Sequence, residues 1–141
     1  MRNEEFFDTI PHFTLLIHHF KKGEIFKMPF TNTKVSVPIT PQQETQLKTQ
    51  LGKAISVISG KSENWLMLNF EDNCRMYFHG DNSKPLAFVE VKIYGSATPH
   101  EYSQLTQLIT DILGKVLGIS PNCIYIKYEE VEDWGYNGYN F

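Results

Sequence analysis

The sequence predicts an α/β domain: a duplicated β-α-β unit whose two copies form a four-stranded mixed sheet with two helices on one face. Three observations predict it. Beyond Met28 the chain aligns with itself, without a gap, at a shift of 58: Phe30 falls on Phe88, Lys34 on Lys92 and Thr40-Pro41 on Thr98-Pro99. Gln46-Leu47 falls on Gln104-Leu105, and Gly60, Ser62 and Asn64 fall on Gly118, Ser120 and Asn122. Each copy carries one helix start of the same kind, and each helix lies between two apolar segments short enough to be strands. One helix joining two strands of a sheet implies a parallel pair and a right-handed crossover.

In the first copy, residues 30–37 read as a strand. Thr40 can cap a helix, Pro41 suits its first position, and Gln43 completes a capping box. Leu47, Leu51, Ile55 and Ile58 then recur at helical spacing, and Gly60 ends the helix, since glycine takes a left-handed cap at low cost. Residues 65–70 read as the second strand and 75–78 as an additional short strand after the Asp72-Asn73 turn. Residues 79–84 are loop, with Gly80-Asp81-Asn82-Ser83 as turn residues. The second copy repeats this order. Residues 86–94 are a strand, Thr98, Pro99 and Glu101 open the helix, and Leu105, Leu108, Ile109, Ile112 and Val116 give it an apolar stripe. Gly118 stops it, and residues 124–128 close the sheet.

The two-residue period of a strand sorts the sheet into two faces. Leu66, Leu68, Phe70, Ile124, Ile126 and Tyr128 form an apolar set for the helices. The other parity carries Asn32, Lys34, Asn69, Glu90, Lys92 and Lys127 together with Phe30, Trp65, Met67, Phe88 and Tyr125. That face is too polar for a dry core and too apolar for open water. Sheets from several subunits are therefore expected to close around a wet centre.

The chain has 141 residues, 41% hydrophobic, which suits one domain with its own core. A net charge of −3 gives no ground for binding nucleic acid or polyanions. Cys74 and Cys123 make no CxxC and are read as free thiols in a reducing cytoplasm. No apolar run approaches the roughly 20 residues that span a membrane. A cytoplasmic protein is expected, with release that uses no signal peptide as the alternative.

Residues 1–27 differ in character. They lack clear periodicity, Pro11 interrupts any helix, and His12, His18 and His19 have no partner cluster to make a metal site. Lys22-Gly23-Glu24 can be encoded by a run containing the bacterial ribosome-binding core AGGAG, a few codons ahead of Met28. Residues 1–27 are accordingly expected to be a leader or a mis-assigned extension, and residues 28–141 the domain. The alternative is an authentic, weakly ordered extension. The distinction has chemical weight: with the chain starting at Pro29, its nitrogen is a basic secondary amine, and otherwise it is an amide.

Residues 28–141 resemble the tautomerase superfamily, in its macrophage migration inhibitory factor branch. The resemblance is carried by Met28-Pro29, by Gly60-Lys61, by Ile119-Ser120-Pro121-Asn122 running on to Ile124-Tyr125-Ile126, and by Trp134-Gly135-Tyr136-Asn137-Gly138. It implies a homotrimer with active sites between subunits, no cofactor, and keto–enol tautomerisation of a small α-keto or enol acid of the phenylpyruvate type. It implies Pro29 as general base and Lys61 as the cation that binds the substrate carboxylate. Burial and a nearby cation would hold the Pro29 amine in its neutral, basic form. The resemblance also implies a pocket lined by Tyr94, Trp134, Tyr136 and Phe141, with Tyr125 entering from a neighbouring subunit.

There are departures from the family pattern. Lys127 stands where the mammalian type has asparagine, which implies a further cation at the pocket. Tyr94 is bulkier than the family's small or branched residue, and the loop at 79–84 is one residue longer. Leu86-Ala87-Phe88-Val89 replaces the CxxC of some members, so thiol oxidoreductase chemistry is not expected. With only Arg2 and Arg75, the related decarboxylation and hydration chemistries are disfavoured. The rival from another class is a cytokine-like or other binding trimer whose active site is vestigial or blocked.

Overall fold

The computed structural model describes residues 28–141. The expectations for the leader and its histidines lie outside them. The element order is β1 (Pro29–Val35), α1 (Pro41–Ala54), β2 (Met67–Glu71), β3 (Ala87–Tyr94), α2 (Pro99–Leu117), β4 (Ile124–Val131) and a terminal hairpin of β5 (Gly135–Tyr136) and β6 (Tyr139–Asn140). The main sheet runs β2-β1-β3-β4. Within each unit the strands are parallel, β1 with β2 and β3 with β4. The two units meet where β1 and β3 pair antiparallel, from Pro29 opposite Ile93 to Val35 opposite Ala87. The sheet is mixed and four-stranded, with two helices, as the duplication predicts.

Both helices start as the sequence requires. The Thr40 and Thr98 hydroxyls accept from the N–H groups of Gln43 and Glu101, and those side chains accept from the Thr40 and Thr98 N–H groups. Each of these residues also reaches across to the other unit. The Gln43 amide donates to the Val116 carbonyl at 3.3 Å, and the Glu101 carboxylate accepts from the Ser59 N–H at 2.8 Å. An amide that both accepts and donates and a carboxylate that only accepts thus perform equivalent tasks at repeat-related positions. The α2 helix ends on Gly118 at φ +69, the left-handed cap expected of it. The first helix ends earlier. Its regular turns stop at Ala54, a tight 3₁₀ turn carries Ile55–Val57, and Gly60 at φ +81 turns the chain so that the Lys61 N–H donates to Ile58.

The core lies between the helices and the two central strands. Leu47, Ile55 and Ile58 from the first unit meet Leu105, Ile109 and Leu113 from the second over Val35, Val89, Val91 and Ile93. Leu66, Leu68, Phe70, Ile124, Ile126 and Tyr128, on the outer strands or just ahead of them, are only partly buried against this core. Among the described residues, no helix or strand covers the other face of the sheet. Strand register arranges it in rows: Met67, Phe30, Lys92 and Glu129, then Asn69, Asn32, Glu90 and Lys127, then Glu71, Lys34, Phe88 and Tyr125. Its polar groups bond to one another. Asn69 donates to Asn32 at 2.8 Å and Asn32 to Glu71 at 3.0 Å, and Lys34 pairs with Glu90 and Lys127 with Glu129.

Two strand expectations are corrected, and one element is added. Residues 75–78 do not form a strand. Asn73 takes a left-handed φ of +53, the Cys74 N–H bonds back to Val35, and the chain leaves the sheet edge. Only Phe78 makes a bridge, to Asp81 across a tight turn. A strand exists through its ladder, and among the described residues no strand pairs with the backbone of 75–77. Trp65 belongs to a 3₁₀ turn over Glu63–Trp65, and β2 begins only at Met67. The hairpin at 135–140 is an addition that Tyr136-Asn137-Gly138-Tyr139 could have announced. Asn137 and Gly138 at φ +54 and +81 form the turn that Asn-Gly favours between two strands.

Two outcomes test this account. The Thr33 hydroxyl is fully buried with no hydrogen-bond partner among the described residues. Thr33→Val should raise stability by about 1 kcal/mol, because an orphaned buried hydroxyl is removed at nearly constant shape. A lower denaturation midpoint for the variant would contradict it. The Glu101 carboxylate is held down to about 2, first by the Thr98 N–H and then by Ser59. A depressed folded-state value means that its stabilising effect is complete above pH 4.5 and is lost as the pH falls toward 2. Glu101→Gln should therefore melt at a lower temperature than wild type at pH 7, with the gap closing through that acid window. A gap that stays constant from pH 7 to pH 2 would count against the carboxylate as the cause.

Candidate active site

At one end of the sheet, a cleft of about 810 Å³ opens between the start of β1, the turn before β2 and the terminal hairpin. Met28 and Pro29 form its inner wall. Trp65, Trp134 and Tyr136 line it from the turn and the hairpin segment, and Phe30, Met67 and Lys92 from the sheet. The aromatic groups interlock. Trp65 meets Tyr136 edge-on with centroids 5.3 Å apart, and Trp134 lies 6.3 Å from Tyr94. The hairpin holds Trp134 in place, since the Phe141 N–H closes on the Trp134 carbonyl at 2.9 Å.

Pro29 is the first residue of β1 and is buried. Its position follows from register: it lies opposite Ile93, on the helix-covered face, next to the last residue of β3. That last residue, Tyr94, links two parts of the site. Its N–H donates to the Met28 carbonyl at 3.0 Å. Its carbonyl accepts from the Lys61 ammonium at 2.9 Å. Lys61 is only 6% exposed, so the Gly60 turn has carried a cation inward rather than into water. A buried ammonium needs such partners, because desolvation without hydrogen bonds is expensive.

Of the residues singled out in the sequence, Pro29, Trp134 and Tyr136 line this cleft, whereas Tyr94 is joined to its lining through the Met28 carbonyl and the Trp134 ring, and Lys61 through Tyr94. Phe141 is half-buried behind Trp134. Tyr125 and Lys127 are elsewhere. Tyr125 pairs with Phe88, whereas Pro29 pairs with Ile93, a separation of roughly 17 Å along β3 at ~3.3 Å per residue. There Tyr125 is 58% exposed and stands edge-on to Phe78 beside a separate apolar cavity of about 280 Å³. Lys127 is on the open face, 3.5 Å from Glu129. Neither reaches the cleft of its own protomer.

The lining residues outside the sequence-based choice of site include Met28, Trp65, Lys92 and Asp133. Trp65 was hidden by its assignment to a strand. Lys92 reads from sequence as one more charge on the polar face, and only the β1–β3 register places it opposite Phe30. Asp133 follows β4 directly and has no motif of its own.

The profile of the family described as Macrophage migration inhibitory factor (MIF) matches residues 28–141. The macrophage migration inhibitory factor of Xenopus laevis is 29% identical over 97 residues, covering 67% of this chain and 84% of its own. Among solved structures, Leishmania major MIF2 superposes with a TM-score of 0.76 at 32% identity, over 82% of this chain and 98% of that one. The macrophage migration inhibitory factor homologue from Prochlorococcus marinus gives 0.72 at 30% identity, over 79% and 98%. A match across the whole β-α-β duplication, with Pro29 heading the first strand and Lys61 turned inward, has one meaning: the chain belongs to the macrophage migration inhibitory factor family.

Proposed function

We propose that this protein, with its chain beginning at Pro29, is a cytoplasmic keto–enol tautomerase for α-keto acids of the phenylpyruvate type, acting as a homotrimer. The observation that carries the proposal is the position of Pro29. It heads β1 at the inner wall of an aromatic cleft, one residue from the Tyr94 peptide that binds the Lys61 ammonium.

The chemistry follows from that placement. A neutral Pro29 amine takes a proton from the carbon beside the keto group, the electrons move into the carbonyl, and the oxygen is protonated to give the enol. The reverse path uses the same groups. Lys61 binds the carboxylate and so orients the acidic C–H toward Pro29. Trp65, Trp134 and Tyr136 stack on the aryl group and keep water from the base. Removal of residues 1–28 has a second effect besides making the amine. The Tyr94 N–H loses the Met28 carbonyl that it now serves, and becomes a donor beside Lys61 for the substrate carboxylate. No cofactor is needed, since the proton returns to the same molecule.

The trimer is supported by the uncovered sheet face, where charged rows alternate with Phe30, Met67, Phe88 and Tyr125, and by the position of Tyr125. An exposed aromatic at the far end of β3 cannot serve its own Pro29 but is available to a neighbour. Lys127 would reach a neighbour's site in the same way.

One observation favours a second reading. Met28 is 3% exposed and its carbonyl extends the β1–β3 pairing, so a chain that keeps Met28 has an amide at Pro29 and fits the fold. Such a protein would be a binding trimer with a blocked site. The mass of the native protein separates the two. A chain made to start at Pro29 should enolise phenylpyruvate, and one that keeps residues 1–28 should not. Pro29→Gly in the short form should cut turnover by about 10²-fold or more. Equal turnover in the short form, the long form and the Gly variant would end the proposal.

A further inference from the structure

Lys92 is a cation in the cleft for which the reaction above has no use. It lines the cleft with Pro29, and the antiparallel register sets it opposite Phe30, the next residue along β1. It projects on the open face of the sheet, whereas Lys61 comes from the turn after α1, on the helix side. The two lysines thus stand on opposite faces of the same sheet end, Lys61 on the side of Pro29 and Lys92 on the side of Phe30. The ion pairs among the described residues are Lys34–Glu90 and Lys127–Glu129, and Lys92 is in neither. Glu129 stands opposite Lys92 across β3 and β4, but Lys127 engages it. Asp133 is the one carboxylate lining the cleft, and it is exposed on the hairpin side, where water screens it. Lys92 itself is half-buried and shares the cleft lining with Phe30 and Trp65, a setting that screens it less than open water would.

We infer that Lys92 binds a second anionic group and makes the preferred substrate a dianionic aryl α-keto acid. The inference rests on the tautomerase reading above. The α-carboxylate goes to Lys61, the ring lies among Trp65, Trp134 and Tyr136, and the distal anion meets Lys92. A singly charged substrate would instead set an apolar ring edge against an ammonium and remove water from it without compensation.

The test uses the chain starting at Pro29 and two substrates with the same aryl body, phenylpyruvate and its para-carboxy derivative. Wild type should favour the dianion in kcat/KM. Lys92→Gln should lower that preference by about five- to ten-fold, the size expected of one partly screened ion pair, and Lys92→Arg should retain it. Circular dichroism checks that both variants fold. A preference that is the same in wild type and Lys92→Gln, or a wild type that favours phenylpyruvate, overturns the inference. Binding of the saturated analogues, phenylpropionate and its para-carboxy derivative, gives a readout free of catalysis. If neither keto acid is isomerised, the tautomerase reading fails, and the ratio of the two binding constants in wild type and Lys92→Gln still decides the role of Lys92.

Discussion

The antiparallel ladder between β1 and β3 is the interaction on which the rest of this protein depends. Each β-α-β unit contributes two parallel strands, and a two-stranded sheet with one helix is too small to persist alone. Pairing β1 with β3 from Pro29 to Val35 removes two edges and brings both helices onto one face. The ladder also sets the site. It places Pro29 beside Ile93, brings the Tyr94 N–H to the Met28 carbonyl, and turns Lys92 toward the cleft. A slip of one residue would exchange the faces, burying Lys92 under the helices and exposing Ile93.

The helices reinforce that ladder with reciprocal caps. Gln43 reaches the end of α2 and Glu101 reaches the turn after α1, so each unit satisfies orphan backbone groups of the other. The same turn, stretched over Gly60, delivers Lys61 to the Tyr94 carbonyl. Stability and the setting of Lys61 therefore share residues: the loop that Glu101 ties down through Ser59 is the loop that carries Lys61. A further network behind β4 has no contact with the cleft. There Tyr102 donates to Glu130 at 2.6 Å and stacks on Tyr128, and desolvation together with that carboxylate pushes the Tyr102 phenol up.

Legibility in the sequence followed the range of each signal. Thr-Pro-x-Gln and Thr-Pro-x-Glu act over one helical turn, and both caps stand as read. Gly118 needs only its own φ. Residues 75–78 alternate like a strand, yet a strand also needs a partner, and among the described residues no strand pairs with them. Trp65 fits the alternation of β2 and is nevertheless turned out of it by the 3₁₀ turn at 63–65. The Asn137-Gly138 turn is a local signal as well, since both residues tolerate the positive φ that the hairpin requires.

The sequence by itself determined the two-unit fold, its helix boundaries at Thr40 and Thr98, and the point where the first unit begins, and with that the position of Pro29 at the head of a strand. These rest on caps, spacing and a repeat, all written in residues close together or related by one fixed shift. Only the tertiary structure decided what surrounds Pro29. The register between strands some sixty residues apart, the inward turn of Lys61, the hairpin folded over the cleft, the placement of Lys92 within it and of Tyr125 far from it are all products of packing. Local pattern states which face of a strand a side chain occupies. Which partner stands across from it depends on how the whole core closes, and that is where the chemistry of this site is set.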